Sequence, residues 1–150
     1  MCGIAGKVFA DRQRPVSEDL VRRMCAAMVY RGPDDEGVHF EPPVGIGMRR
    51  LKIIDLEGGH QPMANEDGSL WIVFNGEIYN YRQLRRDLEK RGHTFVTASD
   101  TEVILHLFEE EDTECFHQLL GMFAIALWDR RSMRLVLARD RLGKKPLFYA

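Results

Sequence analysis

The second residue of the chain is a cysteine, and an initiator methionine is usually removed before a small second residue. Cys2 would then carry a thiol and a free α-amine on one residue. Thiol attack needs a thiolate, and an α-amine with a reference pKa of about 7.7–8.0 accepts a proton near neutral pH without help from a histidine. Familiar nucleophile and phosphate signatures are absent: there is no Gly-x-Ser-x-Gly, no Gly-x-x-x-x-Gly-Lys loop and no His-Glu-x-x-His. Position alone leaves an accidental Cys2 the better reading. The other polar candidates also have ordinary readings. Asn75-Gly76 is a strong short signal for a tight hairpin turn. Asp100 is a favoured helix N-cap, and Arg50 is an ordinary surface charge. Cys25 and Cys115 sit among apolar neighbours, where a cysteine more often packs than reacts. His60 lies in a Gly-Gly-His-Gln-Pro loop with no obvious second ligand, and the five histidines are scattered, so no metal is expected.

Such groups act only if elements bring them together. Cys2 to Phe9 alternates Ile4, Gly6 and Val8 as a strand. Ser17 is placed to cap a helix carrying Leu20, Val21, Met24, Ala27 and Met28, with Gly32-Pro33 as its stop. Val44, Ile46 and Met48 alternate into Arg49-Arg50-Leu51, and if the strand runs through both arginines they point to opposite faces. The apolar run Leu70-Trp71-Ile72-Val73-Phe74 is too short for an ordinary helix and predicts a strand covered on both faces. Asn80 and Asp100 are candidate caps of two helices carrying Leu84 with Leu88, and Val103, Ile104, Leu107 with Phe108. Met122 to Trp128 and Arg134 to Ala138 predict two strands joined at Asp129-Arg130-Arg131-Ser132. Arg139, Asp140 and Arg141 suggest an ion-pair cluster, and Pro146 to Ala150 the start of a further strand, as if the chain were cut there.

Composition bounds the function. A chain of 150 residues, 45% hydrophobic and 29% charged, suits one globular domain. Its net charge of −2 supplies no field for nucleic acid or acidic membrane, so a small molecule is the expected partner. The longest apolar run, Met122 to Trp128, is far short of the roughly 20 residues of a membrane-spanning helix. No secretory signal is visible, which makes the cytoplasm the expected location. Three cysteines without a Cys-x-x-Cys pair argue against a disulfide framework and a zinc knuckle.

Read together, several segments change the balance. Met1-Cys2-Gly3-Ile4, Arg31-Gly32-Pro33-Asp34, Arg50-Leu51, Asn75-Gly76-Glu77-Ile78-Tyr79-Asn80 and Ser99-Asp100-Thr101-Glu102 occur in this order. Gly121-Met122-Phe123-Ala124, Leu127-Trp128-Asp129 and Arg139-Asp140-Arg141-Leu142-Gly143 follow them. The ordered set resembles the N-terminal glutaminase domain of glutamine-hydrolysing asparagine synthetases, a class II glutamine amidotransferase, over essentially the whole chain.

The resemblance implies an α+β fold of the N-terminal-nucleophile (Ntn) hydrolase type. That fold is a four-layer αββα sandwich of two antiparallel sheets, here incomplete at the C-terminal end of residues 1–150. It implies release of ammonia from L-glutamine through a thioester on Cys2, with Asn75 and Gly76 stabilising the oxyanion. Arg50 would receive the α-carboxylate and Asp100 the α-ammonium of glutamine. Glu77 lies in the glutamine-contacting turn, and backbone groups of Leu51, Lys52, Ile53 and Ile54 would line the pocket. No cofactor is expected in this domain; ATP and magnesium would belong to a synthetase domain supplied in cis or in trans. A homodimer is an open alternative.

Met48 stands where many such domains carry histidine, and Lys52 where a small polar residue is common. Lys144-Lys145 replaces the usual apolar-basic pair before Pro146. From a different functional class, the chain could be a non-catalytic regulatory or interaction module that keeps the fold.

Overall fold

The computed structural model describes residues 1–52 and 58–150. Two antiparallel sheets stand face to face. One has the order β1 (Gly3–Val8), β3 (Val44–Arg50), β2 (Asp35–Glu41). The other has the order β4 (Met63–Ala64), β5 (Leu70–Ile78), β6 (Gly121–Asp129), β7 (Arg134–Arg139). Helix α1 (Glu18–Ala26) covers the first sheet, while α2 (Tyr81–Lys90), α3 (Asp100–Glu111) and a short 3-10 helix (Asp112–Gln118) are associated with the second. This is the αββα order that the resemblance implies.

The period-2 pattern of β3 explains three of the four layers. Val44, Ile46 and Met48 pack with Val73 of β5 and with Ala126 and Trp128 of β6, forming the core between the sheets. Gly45 and Gly47 take the opposite face, where α1 closes down. A Cβ on Gly47 would lie 2.7 Å from Cys25 Sγ, and one on Gly45 would lie 2.9 Å from Val16 Cγ1. In β5 and β6, Ile72, Phe74, Ile125 and Leu127 pack with Leu88, Val103, Ile104 and Leu107 of α2 and α3. Both strands are thus covered on two faces, which is why they read as nearly continuous apolar runs.

Several details differ from the sequence reading. The strand β2 is not legible in the sequence as a separate element, because Asp35, Glu36 and Glu41 interrupt its apolar pattern. Helix α1 ends at Ala26, although Ser17 caps it as expected, accepting from Leu20 N. Asn80 precedes α2 without capping it; its side chain donates to Gln118 O and accepts from Leu120 N, stitching α2 to the start of β6. Ser99, not Asp100, caps α3 by accepting from Thr101 N. The Arg139-Asp140-Arg141 segment is not an ion-pair cluster. The Asp140 carboxylate accepts from the backbone N–H groups of Phe123, Leu142, Lys144 and Lys145, and Arg141 donates to His117 O and Leu119 O. Residues 146–150 form no strand among the described residues. No helix there is long and apolar enough to cross a membrane.

Candidate active site

The inter-sheet core becomes polar at one end. Continuing the same face, β3 adds Arg50 after Met48, β5 adds Asn75 and Glu77 after Val73, and β6 carries Met122 ahead of Ala126. Cys2 precedes β1 on the face that carries Ile4. Together with Leu51, Gln61, Asp100, Thr101 and Lys145 these residues line a cleft of about 120 Å³.

Cys2 is held from two sides. Its carbonyl accepts from Arg31 Nε at 3.2 Å, and its sulfur lies 3.4 Å from Leu51 N and 3.7 Å from Leu51 O. Arg31 can reach it because Gly32 lies against β3, where a Cβ would sit 2.3 Å from the Arg49 carbonyl. Asp34 completes this clasp, with its carboxylate accepting from Lys52 N at 2.9 Å and its own N–H donating to Arg50 O. The Arg-Gly-Pro-Asp segment therefore positions both the nucleophile candidate and the exit of β3.

The two arginines of β3 point apart as expected. Arg49 donates to Glu36 and to Gly32 O on the helix side, while Arg50 is buried and lines the cleft. Leu51 also lines it. The Lys52 side chain is exposed and its N–H belongs to the Asp34 clasp. Ile53 and Ile54 lie outside the described residues.

Asn75 and Gly76 do not form a hairpin turn. They continue β5, paired with Ala124 and Phe123 of β6. Phe123 exchanges both of its backbone hydrogen bonds with Asp140, its N–H donating to the carboxylate and its carbonyl accepting from Asp140 N. Gly76 is therefore opposite Phe123 in a pair without ladder bonds, and its N–H points to the other edge of β5. On that edge the neighbouring N–H of Phe74 donates to Gln61 Oε1 at 2.7 Å, and that of Ile78 donates to Asp100 Oδ2 at 3.0 Å. The Gly76 N–H lies between them, facing the cleft. Sequence reading missed Gln61, whose Nε2 also donates to Thr101 Oγ1 at 3.0 Å. Nothing local marks it, since its role exists only where the short strand β4 leaves the edge of β5 unpaired.

Charge in the cleft is mixed. Asp100 is 4% exposed, and no cationic side chain pairs with it among the described residues. Burial pushes its carboxyl above the usual range and the Glu77 charge adds to this, against the pull of backbone N–H groups of Ile78, Asp100 and Thr101. Lys145, 5% exposed and also missed from sequence, brings its ammonium to 3.1 Å from Met1 Sδ. Its backbone is fixed by Asp140, so the Asp140 carboxylate orders the turn that presents it. Arg50 and Lys145 thus supply positive charge, and Asp100 and Glu77 negative charge, around one thiol. Cys25 and Cys115 are fully buried elsewhere, their thiols pushed up to about 11 and about 12 by burial. His60 is exposed beside Asp35, at 2.9 Å.

Asp100 carries a testable cost. Because its folded pKa is raised, the ionised carboxylate opposes folding; that penalty is absent below the ordinary carboxylate range and complete once the pH exceeds the raised value. Asp100→Asn keeps an acceptor for Ile78 N and removes the charge. We expect its melting temperature at pH 7 to rise by a few degrees. Thermal melts of the two chains check this, and a fall in the variant would show that the charge supports the fold.

Comparison with known proteins agrees with this arrangement. A family model described as a glutamine amidotransferase domain matches residues 1–150. Asparagine synthetase [glutamine-hydrolyzing] 2 of Bacillus subtilis (strain 168) is 47% identical over 99% of this chain and 20% of its own length. Asparagine synthetase [glutamine-hydrolyzing] 1 of the same organism is also 47% identical, over 99% of this chain and 24% of its own length. The chain thus spans about a quarter or less of these relatives. Among solved structures, the glutamine phosphoribosylpyrophosphate amidotransferase from B. subtilis complexed with ADP and GMP superposes with a TM-score of 0.57 at 27% identity. The match covers 69% of this chain and 24% of that one. With the family model spanning every residue and both sheets in the expected order, the chain belongs to the glutamine amidotransferase domain family, in the form found in the N-terminal part of glutamine-hydrolysing asparagine synthetases.

Proposed function

We propose that this domain hydrolyses the side-chain amide of L-glutamine, with Cys2 as nucleophile. The observation that carries the reading is the Gly76 N–H, aimed into the cleft that Cys2 lines, between two N–H groups already held by Gln61 and Asp100. With Met1 removed, the free amine of Cys2 takes the thiol proton and the sulfur adds to the amide carbon. The Gly76 N–H and the Asn75 side-chain amide donate to the oxyanion, donors typically worth about 2.7–4 kcal/mol each. The amine then passes the proton to the leaving nitrogen, and ammonia departs from a thioester. Water adds to the thioester with the same amine as base, giving glutamate and the free thiol.

Recognition of the free amino acid uses the mixed charge of the cleft. The Arg50 guanidinium suits the α-carboxylate by two parallel hydrogen bonds. Asp100, buried with no cationic side chain paired to it among the described residues, suits the α-ammonium, and Glu77 lies beside it. The ammonia would serve ATP-dependent amide synthesis in a synthetase domain, in cis or in trans, as the names of the relatives suggest. A cytoplasmic location is part of the same proposal.

The test is intact mass before and after exposure to an electrophilic glutamine analogue, with peptide mapping. Loss of Met1 and a single adduct on Cys2, suppressed by excess glutamine, is the expected result. No adduct on a folded, Met-free chain would overturn it and leave the non-catalytic module in its place.

A further inference from the structure

Away from the cleft, His93 in the loop after α2 meets His106 and Glu109 of α3. His93 Nδ1 and His106 Nδ1 are 3.1 Å apart, and Glu109 Oε2 lies 3.0 Å from His106 Nδ1 and 3.8 Å from His93 Nδ1. A tetrahedral zinc ion with bonds of about 2.0–2.1 Å separates its ligand atoms by about 3.3 Å, close to the size of this triangle.

The surrounding groups set the protons. His93 Nε2 faces Glu110 Oε1 at 2.9 Å, and His106 Nε2 faces Glu102 Oε1 at 3.7 Å. The Glu110 contact favours the His93 tautomer with its proton on Nε2, as in carboxylate–histidine–metal arrangements, whereas His106 Nε2 makes no hydrogen bond among the described residues. In the tautomers protonated at Nε2, the two Nδ1 lone pairs face each other at 3.1 Å, with Glu109 Oε2 as the third lone-pair donor. Such a triangle calls for a cation at its centre. Glu109 is itself oriented, because its other oxygen accepts from Asn65 Nδ2 at 2.7 Å. His106 is 2% exposed and its ring is fixed edge-on against Phe95, at 4.6 Å between centroids. Beside it, a hollow of about 140 Å³ is bordered by Glu66, whose Oε1 lies 3.7 Å from His106 Nδ1 and can swing in as a fourth ligand.

We propose that His93, His106 and Glu109 form a binding site for a divalent transition-metal ion of zinc type, with Glu66 or water completing the tetrahedron. Two imidazoles and a carboxylate favour zinc over calcium or magnesium, which prefer oxygen ligands alone. The ion clips the loop after α2 to α3, the helix whose N-terminus carries Ser99 and Asp100. No spacing signal announces the site, since His93 and His106 belong to different segments.

The test uses the metal-stripped chain with Cys2→Ala, so that the N-terminal aminothiol cannot bind zinc instead. Calorimetric titration with zinc alone should give one ion per chain. At about 100 times the dissociation constant, zinc should raise the melting temperature by about 5–10 °C. Cobalt in place of zinc should show the intense d–d absorption of a tetrahedral site. His93→Gln and Glu109→Gln, whose metal-free melts check that the fold persists, should each weaken zinc binding about 100-fold, and Glu110→Gln about 10-fold. Absence of a zinc-dependent shift, an unchanged shift in His93→Gln, or an octahedral cobalt spectrum would overturn the proposal.

Discussion

Replacing Cys2 with alanine is expected to lower glutamine hydrolysis by at least about 10⁴-fold, because no second thiol lines the cleft among the described residues. The other two thiols cannot substitute: both are fully buried, and burial pushes them up to about 11 and about 12. Little of the fold depends on this sulfur. Its polar contacts are a weak pair with the Leu51 backbone, it packs only at the margin of the inter-sheet core, and the Arg31 hydrogen bond goes to the Cys2 carbonyl and survives the change. The melting temperature should therefore stay within about 2 °C of the unmodified chain. Binding should survive too, since the groups proposed to hold glutamine are Arg50, Glu77 and Asp100. Glutamine-dependent thermal stabilisation with no glutamate formed is the combined result to look for. Residual hydrolysis above about 1% would mean that another group attacks the amide.

The parts of the fold legible in the sequence are those whose environment repeats along the chain. Ile46 and Met48 alternate with glycines because one face meets a sheet and the other meets α1, and the Leu70–Phe74 run is apolar because both faces are covered. The strand β2 is illegible for the opposite reason. Its acidic residues find Arg49, Trp128 and Arg130 only after folding, and no local pattern announces those partners. Ser99 and Asp100 show how a local rule can pick the wrong neighbour: both can cap, and the pull of Ile78 N on the Asp100 carboxylate leaves the cap to Ser99.

The site divides along the same line. A cysteine beside a chain terminus is readable chemistry, but the roles of Arg50, Asn75, Gly76 and Asp100 came from resemblance, since each has a bland reading on its own. The cleft positions of Gln61 and Lys145 are not legible in the sequence, because Gln61 completes a strand edge and Lys145 is placed by a carboxylate anchored on β6. At Asn75-Gly76 the strongest local signal misled. Pairing with β6 overrides the turn preference, and the glycine serves close approach of two strands.

That close approach makes Gly76→Ala the sharpest test of how fold and chemistry share one residue. A Cβ at this position would lie 2.1 Å from the Met122 carbonyl oxygen and 2.8 Å from Phe123 Cα. Both are backbone atoms of β6 and cannot rotate away, so the strands must part. A loss of about 3 kcal/mol is expected, which for a chain of this size lowers the melting temperature by about 6–12 °C. Gly121→Ala is the matched control, because its Cβ would lie 2.1 Å from the Glu77 carbonyl oxygen in the same β5–β6 pairing. The two variants should lose similar stability. Assayed at a temperature where both are folded, they should differ in chemistry. Moving the Gly76 N–H off its edge removes one oxyanion donor and should cost about 10²–10³ in kcat, whereas Gly121→Ala should stay within about 10-fold of the parent. Equal losses would reduce Gly76 to a packing residue. Unequal losses would tie catalysis to the one backbone donor that Gln61 and Asp100 leave open between them.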